Sequence, residues 1–200
     1  MKEENRNEDI NHMDKRYHSK NPFVKYIHTK RLEIIKELVG DNKGRLLECG
    51  CGEGHLLEEL RGDKYGIDLS PSLIRAKDRN QDAEILKGDI TNLPFDDGFF
   101  DIVVCTETLE HIPNYKKAAS EIKRVTKGGG KIIISVPNER NWTIARLAML
   151  RFPIHIEDHV NSFTPLMLIE LFGKARKAIY IPFNSFSLSL TQIYEFEKEV

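Results

Sequence analysis

The sequence predicts an α/β protein with a doubly wound sheet of seven strands, mostly parallel, that ends in an antiparallel hairpin. Strand-like and helix-like segments alternate from residue 45 to residue 172, which is typical of a sheet with helical crossovers. Several strand-like segments, including Ile102–Cys105, are apolar without alternation. Such runs indicate burial on both faces, and therefore parallel strands covered by helices on each side.

The elements follow in order along the chain. Apolar residues recur at helical spacing from Pro22 to Val39, and Gly40 is expected to end that helix. Strands are predicted at Arg45–Cys49, Lys64–Asp68, Glu84–Lys87, Phe100–Cys105 and Lys131–Val136. Helices are predicted between them at Glu53–Arg61, Pro71–Asn80 and Tyr115–Thr126.

Two later features complete the fold. Ser70 before Pro71 and Thr164 before Pro165 are typical helix starts, a capping hydroxyl followed by a proline with fixed φ. The second pair begins a helix over Leu166–Phe172. Two further strands, joined too closely for a parallel crossover and hence antiparallel, are predicted at Ala178–Phe183 and Leu188–Phe196.

Composition excludes several classes of function. With a formal net charge of -1, the chain has no basic field for a polyanion, so no DNA substrate is expected. No apolar run approaches the ~20 residues that span a bilayer, and the charged N-terminus lacks a signal core. We therefore expect a cytoplasmic protein. Its three cysteines indicate small buried residues in a reducing compartment, with a Cys49–Cys51 redox pair as the alternative.

One segment has a glycine spacing that implies a ligand. The strand that ends near Cys49 runs into three alternating glycines, Gly50, Gly52 and Gly54. Glycine adopts positive φ readily and lets bare backbone approach a bound molecule. Asp68 ends the next strand, where a nucleoside ribose needs a carboxylate acceptor. A nucleoside-bearing cofactor is predicted.

The same spacing argues against a dinucleotide. The fingerprint Gly-x-Gly-x-x-Gly needs its third glycine where this chain has His55. An NAD-dependent oxidoreductase is therefore the disfavoured alternative.

Taken together, four segments resemble the class I S-adenosylmethionine-dependent methyltransferases, a Rossmann-like family. They are Leu47–Gly54 with Asp68, Lys87–Ile90, Phe100–Ile112 and Gly128–Pro137. The resemblance covers roughly residues 40–185 in unbroken order and is closest to the small-molecule branch that includes quinone-biosynthesis O-methyltransferases. It implies S-adenosylmethionine as cofactor and S-adenosylhomocysteine as product.

The resemblance assigns the methionyl half of the cofactor to the first glycine loop. It implies that Glu48 orients this loop and that the carbonyl of Cys105 accepts from the cofactor's ammonium. Backbone approach is assigned to the loop residues Gly50, Cys51, Gly52 and Gly54. From the residues alone, the alternative is that Glu48 stabilises its loop without a ligand.

The adenosine half is assigned to two later strand ends. Asp68 would bind both ribose hydroxyls, and Asp89 would accept from the adenine amino group. Leu69 and Ile90 would cover the two faces of the adenine. The alternatives are that both acids cap local turns and that both apolar residues belong to the core.

These roles divide the single domain, residues 1–200. We expect disorder at 1–15, a helical lid at 16–40 that includes Tyr17, and the cofactor-binding core at 41–136. An acceptor-side insertion follows at 137–163, and the last helix and strands at 164–200.

The acceptor is less well defined. Candidate catalytic residues are His111, His155 and His159, with Glu107 near the methionyl end. Because a loop-packing or capping role is open for each histidine, these assignments are hypotheses. No metal is predicted, although His155 and His159 with Glu157 or Asp158 form the metal-binding alternative.

A small-molecule acceptor is expected, with O-methylation preferred. After the fourth strand the chain reads Thr106-Glu-Thr-Leu-Glu110, not the Asn/Asp-Pro-Pro-aromatic of base N-methylases. The apolar residues of the insertion favour an apolar or aromatic acceptor. The alternatives are a protein or RNA methyltransferase and a non-catalytic S-adenosylmethionine-binding regulatory subunit, and a homodimer is left open.

Overall fold

The computed structural model describes residues 21–148 and 159–200. Its helices are α1 Pro22–Val39, α2 His55–Glu59, α3 Leu73–Arg79, α4 Tyr115–Val125, α5 Glu139–Ala148 and α6 Pro165–Phe172. Its strands are β1 Arg45–Cys49, β2 Asp63–Asp68, β3 Ala83–Lys87, β4 Phe100–Thr106, β5 Thr126–Pro137, β6 Ala175–Ile181 and β7 Thr191–Glu197. Predictions on residues 1–15, Tyr17, His155, Glu157 and Asp158 lie outside the described residues.

The strands form one seven-stranded sheet in the order β3-β2-β1-β4-β5-β7-β6. β7 is antiparallel to both β5 and β6, and the remaining pairs are parallel. The predicted α/β fold with an antiparallel C-terminal pair is confirmed. β7 starts at Thr191, later than predicted, because a short 3-10 helix at Phe186–Leu188 occupies the expected strand start.

The helix starts illustrate how local contacts override a sequence signal. Thr164 caps α6 as predicted, since its side chain accepts from the backbone N–H of Met167. The predicted start at Ser70-Pro71 is wrong, because α3 begins only at Leu73. There the Asp68 carboxylate accepts from the Ser70 backbone N–H at 2.7 Å and holds this segment in a turn.

Alternate residues of the strands enter two cores. Leu47 and Val103 belong to one cluster and face α4 and α6. Leu46 and Val104 belong to the other, which also contains residues of α1, α2 and α3. Burial on both faces explains the uninterrupted apolar runs. Helix α1 is thus part of a helical layer, and the lid predicted at residues 16–40 stays a prediction.

The strand order opens a crevice at one place. The chain passes from β1 outwards to β2 and β3, then returns to β4 on the other side of β1. In doubly wound sheets, ligands bind outside the carboxyl ends of the strands where the order reverses. Here that position lies between the ends of β1 and β4. Across residues 21–148 and 159–200, no helix has the length and apolarity that crossing a membrane requires.

A buried carboxylate fastens α4 to the preceding loop and makes stability depend on pH. Glu121 accepts from Arg124 Nη2 at 2.8 Å and from the Leu93 backbone N–H at 2.9 Å. The Arg124 guanidinium, followed by the Leu93 N–H and Lys117, lowers the Glu121 pKa to about 2. Because an unfolded glutamate titrates near pH ~4.3, the stabilisation is complete above that pH and is lost as the pH falls towards about 2.

We expect Glu121→Gln to lower the free energy of unfolding at pH 7 by up to about 3 kcal/mol. The difference from wild type should shrink as the pH is lowered from 5 to 2, measured by urea unfolding. Glu58→Gln is the matched control, since the Glu58–Arg79 pair is exposed and is expected to contribute only about 0–1 kcal/mol. A difference that does not change with pH would contradict this account.

Candidate active site

A cavity of about 400 Å³ occupies the crevice between the ends of β1 and β4. One wall consists of predicted cofactor residues, Gly50, Asp68, Leu69, Asp89 and Ile90. The opposite wall follows β4 and consists of Thr108, His111, Ile112, Pro113 and Asn114. The volume lies within the range of roughly 300–1,000 Å³ that ligand sites occupy.

Asp68 faces the cavity and also supports the glycine loop. Its Oδ2 accepts from the Gly52 backbone N–H at 2.8 Å, and its Oδ1 accepts from Ser70 N–H at 2.7 Å. A carboxylate has about four acceptor positions, so two remain for ligand hydroxyls. Asp89 accepts likewise from Thr91 N–H at 2.8 Å. Both acids therefore stabilise a local turn and also line the cavity.

Leu69 and Ile90 differ in their surroundings. The Leu69 residue is 59% exposed although it is a large apolar residue, and it lines the cavity. Ile90 also lines the cavity but is 6% exposed and packs within the core. An exposed leucine at a cavity wall is what a flat apolar ligand group would cover.

Gly50 is required by its surroundings. Its φ is +75°, and an added Cβ would lie 2.3 Å from Thr108 Oγ1 and 2.4 Å from Thr108 Cγ2. Gly50 N–H and Cys51 N–H both donate to the Ile67 carbonyl, which holds the loop against β2. The backbone at Gly50 therefore lies against Thr108 at the cavity wall, where a side chain at position 50 would have no room.

Three of the predicted cofactor residues, Gly52, Gly54 and Cys105, line neither this cavity nor the smaller one beside it. Gly52 contributes its backbone N–H to Asp68. Gly54 lies against α3, where an added Cβ would be 2.3 Å from Asn80 Nδ2 and 3.2 Å from Ala76. Cys105 is fully buried in the core, and burial raises the pKa of its thiol. All three cysteines are free.

The smaller cavity, of about 20 Å³, extends beyond Gly50 and is unusually polar. Its walls include Arg31, Glu48, Glu53, His55 and Glu107. Burial, together with the nearby charge of Asp68, raises the Glu48 pKa well above its usual range. Within the described residues, Glu48 Oε2 is buried and accepts no hydrogen bond. A cationic ligand group would give the Glu48 carboxylate a hydrogen-bond donor and a compensating positive charge.

Glu107 is held in an uncommon conformation at the end of β4. Its φ is +49°, which costs on the order of 1–3 kcal/mol for a residue other than glycine. Arg31 Nη1 lies 3.2 Å from its Oε2, and both side chains are at most 9% exposed. The Ser135 hydroxyl donates to its Oε1 at 2.9 Å. These contacts keep an acid beside the glycine loop.

Sequence reasoning missed Arg31 although the signal was present. Arg31 lies on the face of α1 that also carries Ile27, Ile34, Ile35 and Leu38, and all of them are buried. A charged residue on the apolar stripe of a helix needs a buried partner. That partner is Glu107, which lies too far along the chain to be matched with Arg31 by spacing.

The two described candidate catalytic histidines lie together. The rings of His111 and His159 meet edge to face, with centroids 4.7 Å apart, and His111 lines the large cavity. His159 Nδ1 lies 2.5 Å from Glu139 Oε1. Glu110, fully buried, lies beside both histidines. The predicted partnership of His159 with His155 lies outside the described residues.

The residues present suit a cationic nucleoside ligand that carries no phosphate. Acids end β1 and β2, one buried carboxylate oxygen has no donor, and the loop from Gly50 to Gly54 contains no basic residue. Carboxylates favour a sulfonium and an ammonium, and Leu69 and Ile90 offer apolar surface to an adenine.

Comparison with known proteins agrees with this geometry. A family model described as a methyltransferase domain matches residues 47–134. The demethylmenaquinone methyltransferase of Renibacterium salmoninarum is 34% identical over 107 residues, 51% of this chain and 45% of that protein. The ubiquinone biosynthesis O-methyltransferase of Bordetella avium is 32% identical over 122 residues, 56% of this chain and 51% of that protein.

A solved structure extends the agreement to the fold. The crystal structure of an S-adenosylmethionine-dependent methyltransferase from Thermotoga maritima aligns with a TM-score of 0.70 at 19% identity, covering 88% of this chain and 91% of that chain. The chain spans about half the length of the curated relatives it matches. Its residues 47–134 match a methyltransferase domain, its fold is that of an S-adenosylmethionine-dependent methyltransferase, and S-adenosylmethionine is the cofactor that these similarities indicate.

Proposed function

We propose that this protein transfers a methyl group from S-adenosylmethionine to a hydroxyl oxygen of a small apolar or aromatic molecule. The observation that carries the proposal is the cavity of about 400 Å³. One of its walls bears the acids and apolar residues suited to an adenosine, and the other bears His111.

The cofactor supplies a methyl group already activated on a sulfonium. On the protein side, Asp68 would accept from the ribose hydroxyls and Asp89 from the adenine amino group. Leu69 and Ile90 would pack on the adenine. Positioning of two reactants can contribute about 7–11 kcal/mol to such a displacement, so these residues act by orientation.

The methionyl end is assigned to the smaller cavity. Gly50 and Cys51 line it with backbone, and the buried carboxylate of Glu48 would face the ammonium. Arg31, which also lines this cavity, would face the carboxylate. Gly52 serves through its hydrogen bond to Asp68. Gly54 and Cys105 would act only through the loop and strand that they shape.

The acceptor is assigned to the wall after β4 and to the insertion at 137–163. His111, Ile112 and Pro113 line the cavity there. Ile144 and Leu147 of α5 are more than half exposed, and they would extend an apolar surface from the same insertion. His111 and His159 would act on the acceptor hydroxyl, and the catalytic role of His155 stays a prediction.

An oxygen acceptor is supported by one of these relatives, the Bordetella avium protein, which is named as a ubiquinone biosynthesis O-methyltransferase. The Renibacterium salmoninarum protein, named as a demethylmenaquinone methyltransferase, supports a quinone-like small molecule without specifying oxygen. We also propose a cytoplasmic location, which the three free cysteines favour.

The cofactor assignment is tested by calorimetry with S-adenosylmethionine, S-adenosylhomocysteine and NAD. We expect Asp68→Ala to weaken S-adenosylmethionine binding by ~1.5–3 kcal/mol, because a charged acceptor is lost. Asp63→Ala is the matched control, since Asp63 begins the strand that Asp68 ends. Unchanged affinity in Asp68→Ala, or binding of NAD alone, would contradict the assignment.

The acceptor assignment is tested by transfer of label from methyl-tritiated cofactor. Quinols and other phenols, RNA and protein fractions are offered in parallel, and label is expected in a hydroxyl-bearing small molecule. Label confined to RNA or protein would favour a macromolecular methyltransferase. Cofactor binding without transfer to any fraction would favour a regulatory subunit.

A further inference from the structure

Three metal-binding side chains converge at the edge of the large cavity. Glu110, His111 and His159 each offer one ligand atom, and these atoms lie within 4.8 Å of one another. Glu110 is fully buried, and the His159 side chain is 4% exposed. Carboxylate and imidazole groups held together away from water are typical ligands of a divalent transition metal.

Glu139 defines which nitrogen of His159 is available. Its Oε1 lies 2.5 Å from His159 Nδ1, so a carboxylate acceptor holds the proton on Nδ1 and leaves a lone pair on Nε2. Within the described part of the chain, Nε2 is buried and has no hydrogen-bond partner. A carboxylate behind a histidine whose other nitrogen is free is the arrangement found behind metal-binding histidines.

The two chain segments that supply the ligands are fixed to each other. Val160 N–H and Asn161 N–H both donate to the Glu110 carbonyl, at 2.9 and 3.1 Å. Asn161 Nδ2 donates to the Ile112 carbonyl at 2.7 Å. Because these bonds join the segment after residue 158 to the 3-10 helix Leu109–His111, the three ligands are held in place by backbone contacts.

We propose that Glu110, His111 and His159 bind one divalent transition-metal ion, with Glu139 as the positioning partner of His159. Two histidines and one carboxylate leave coordination positions open. His111 also lines the cavity, so an open position faces the acceptor. The site takes an oxygen ligand from that side.

Building on the proposed function, the ion would bind the acceptor hydroxyl. A divalent cation lowers the pKa of a bound hydroxyl or water by several units. The hydroxyl proton passes to solvent water, and the oxygen keeps its electron pair. The O–CH₃ bond then forms as the C–S bond breaks, and the electron pair of that bond returns to sulfur.

The test measures metal binding without cofactor or acceptor, so its failure is distinct from failure of the methyltransferase proposal. The full chain is freed of metal with EDTA and titrated with Co²⁺, followed by visible d–d absorption and by metal analysis after dialysis. One ion per chain is expected, displaced by Zn²⁺. His159→Ala and Glu110→Gln should each weaken Co²⁺ binding by more than about 100-fold, and Glu139→Gln by about 10–100-fold.

His55→Gln is the matched control, because His55 also lies beside a buried carboxylate, Glu53, at 3.6 Å but outside the cluster. Its Co²⁺ affinity should equal that of wild type. Circular dichroism establishes that each variant is folded, and Glu110→Gln keeps the side-chain volume if His159→Ala does not fold. A folded wild type without d–d absorption, or folded cluster variants that bind as wild type does, would overturn the proposal.

Discussion

Gly50→Ala is expected to reduce S-adenosylmethionine affinity by about 100-fold or more. Two effects add. A side chain at φ +75° costs roughly 1–2 kcal/mol, and the added Cβ would overlap the side chain of Thr108. Relief requires movement of the loop or of the segment after β4, and both line the cavity. Each tenfold loss of affinity corresponds to about 1.4 kcal/mol, so the expected 100-fold loss corresponds to about 2.8 kcal/mol.

Gly129→Ala separates these effects. Gly129 has nearly the same φ, +74°, but nothing lies within 4 Å of its added Cβ. This control should lose stability and keep its cofactor affinity. Calorimetric titration of both variants measures the difference. Wild-type affinity in a folded Gly50→Ala variant would remove the glycine loop from the cofactor site.

Arg31→Met is expected to lower the free energy of unfolding by about 3–5 kcal/mol, because it leaves the Glu107 carboxylate buried without its cation. The arginine and Glu107 side chains are 5% and 9% exposed, so water cannot readily replace the lost partner. Methionine keeps most of the apolar packing on α1. The loss should therefore come from charge, as measured by urea unfolding at pH 7.

Two further variants test that explanation. Lys36→Ala removes an ion pair between α1 and α2, whose side chains, Lys36 and Glu59, are 43% and 50% exposed. This change should cost only about 0–1 kcal/mol. The double variant Arg31→Met/Glu107→Gln removes both buried charges and should recover most of the lost stability. A double variant as unstable as Arg31→Met would show that packing is responsible.

The parts predicted from sequence are those controlled by local residue chemistry. Apolar runs such as Ile102–Cys105 defined the strands, because a strand buried on both faces has no polar alternation. Gly50 and Asp68 were found because a turn at positive φ and an acid at a strand end are visible within a few residues. Both residues line the large cavity, and their roles toward the cofactor stay predictions.

The parts that sequence reasoning missed depend on contacts between distant segments. Arg31 pairs with Glu107, which lies 76 positions further along the chain. Glu139 pairs with His159, and both lie in the predicted insertion at 137–163. Neither pair has a spacing that could be recognised. Gly54 is the reverse case: the glycine is visible in the sequence, but an added Cβ would meet α3, and its contact with the cofactor stays a prediction.

The bonds made by Asn161 have a consequence for how specificity can change. Its amide donates to the main-chain carbonyl of Ile112, and Ile112 lines the pocket. Every residue has a main-chain carbonyl, so replacement of the Ile112 side chain would keep the hydrogen bond from Asn161 while changing the shape of the pocket. Substitution of Ile112 can therefore change the shape of this pocket while the surrounding fold stays intact.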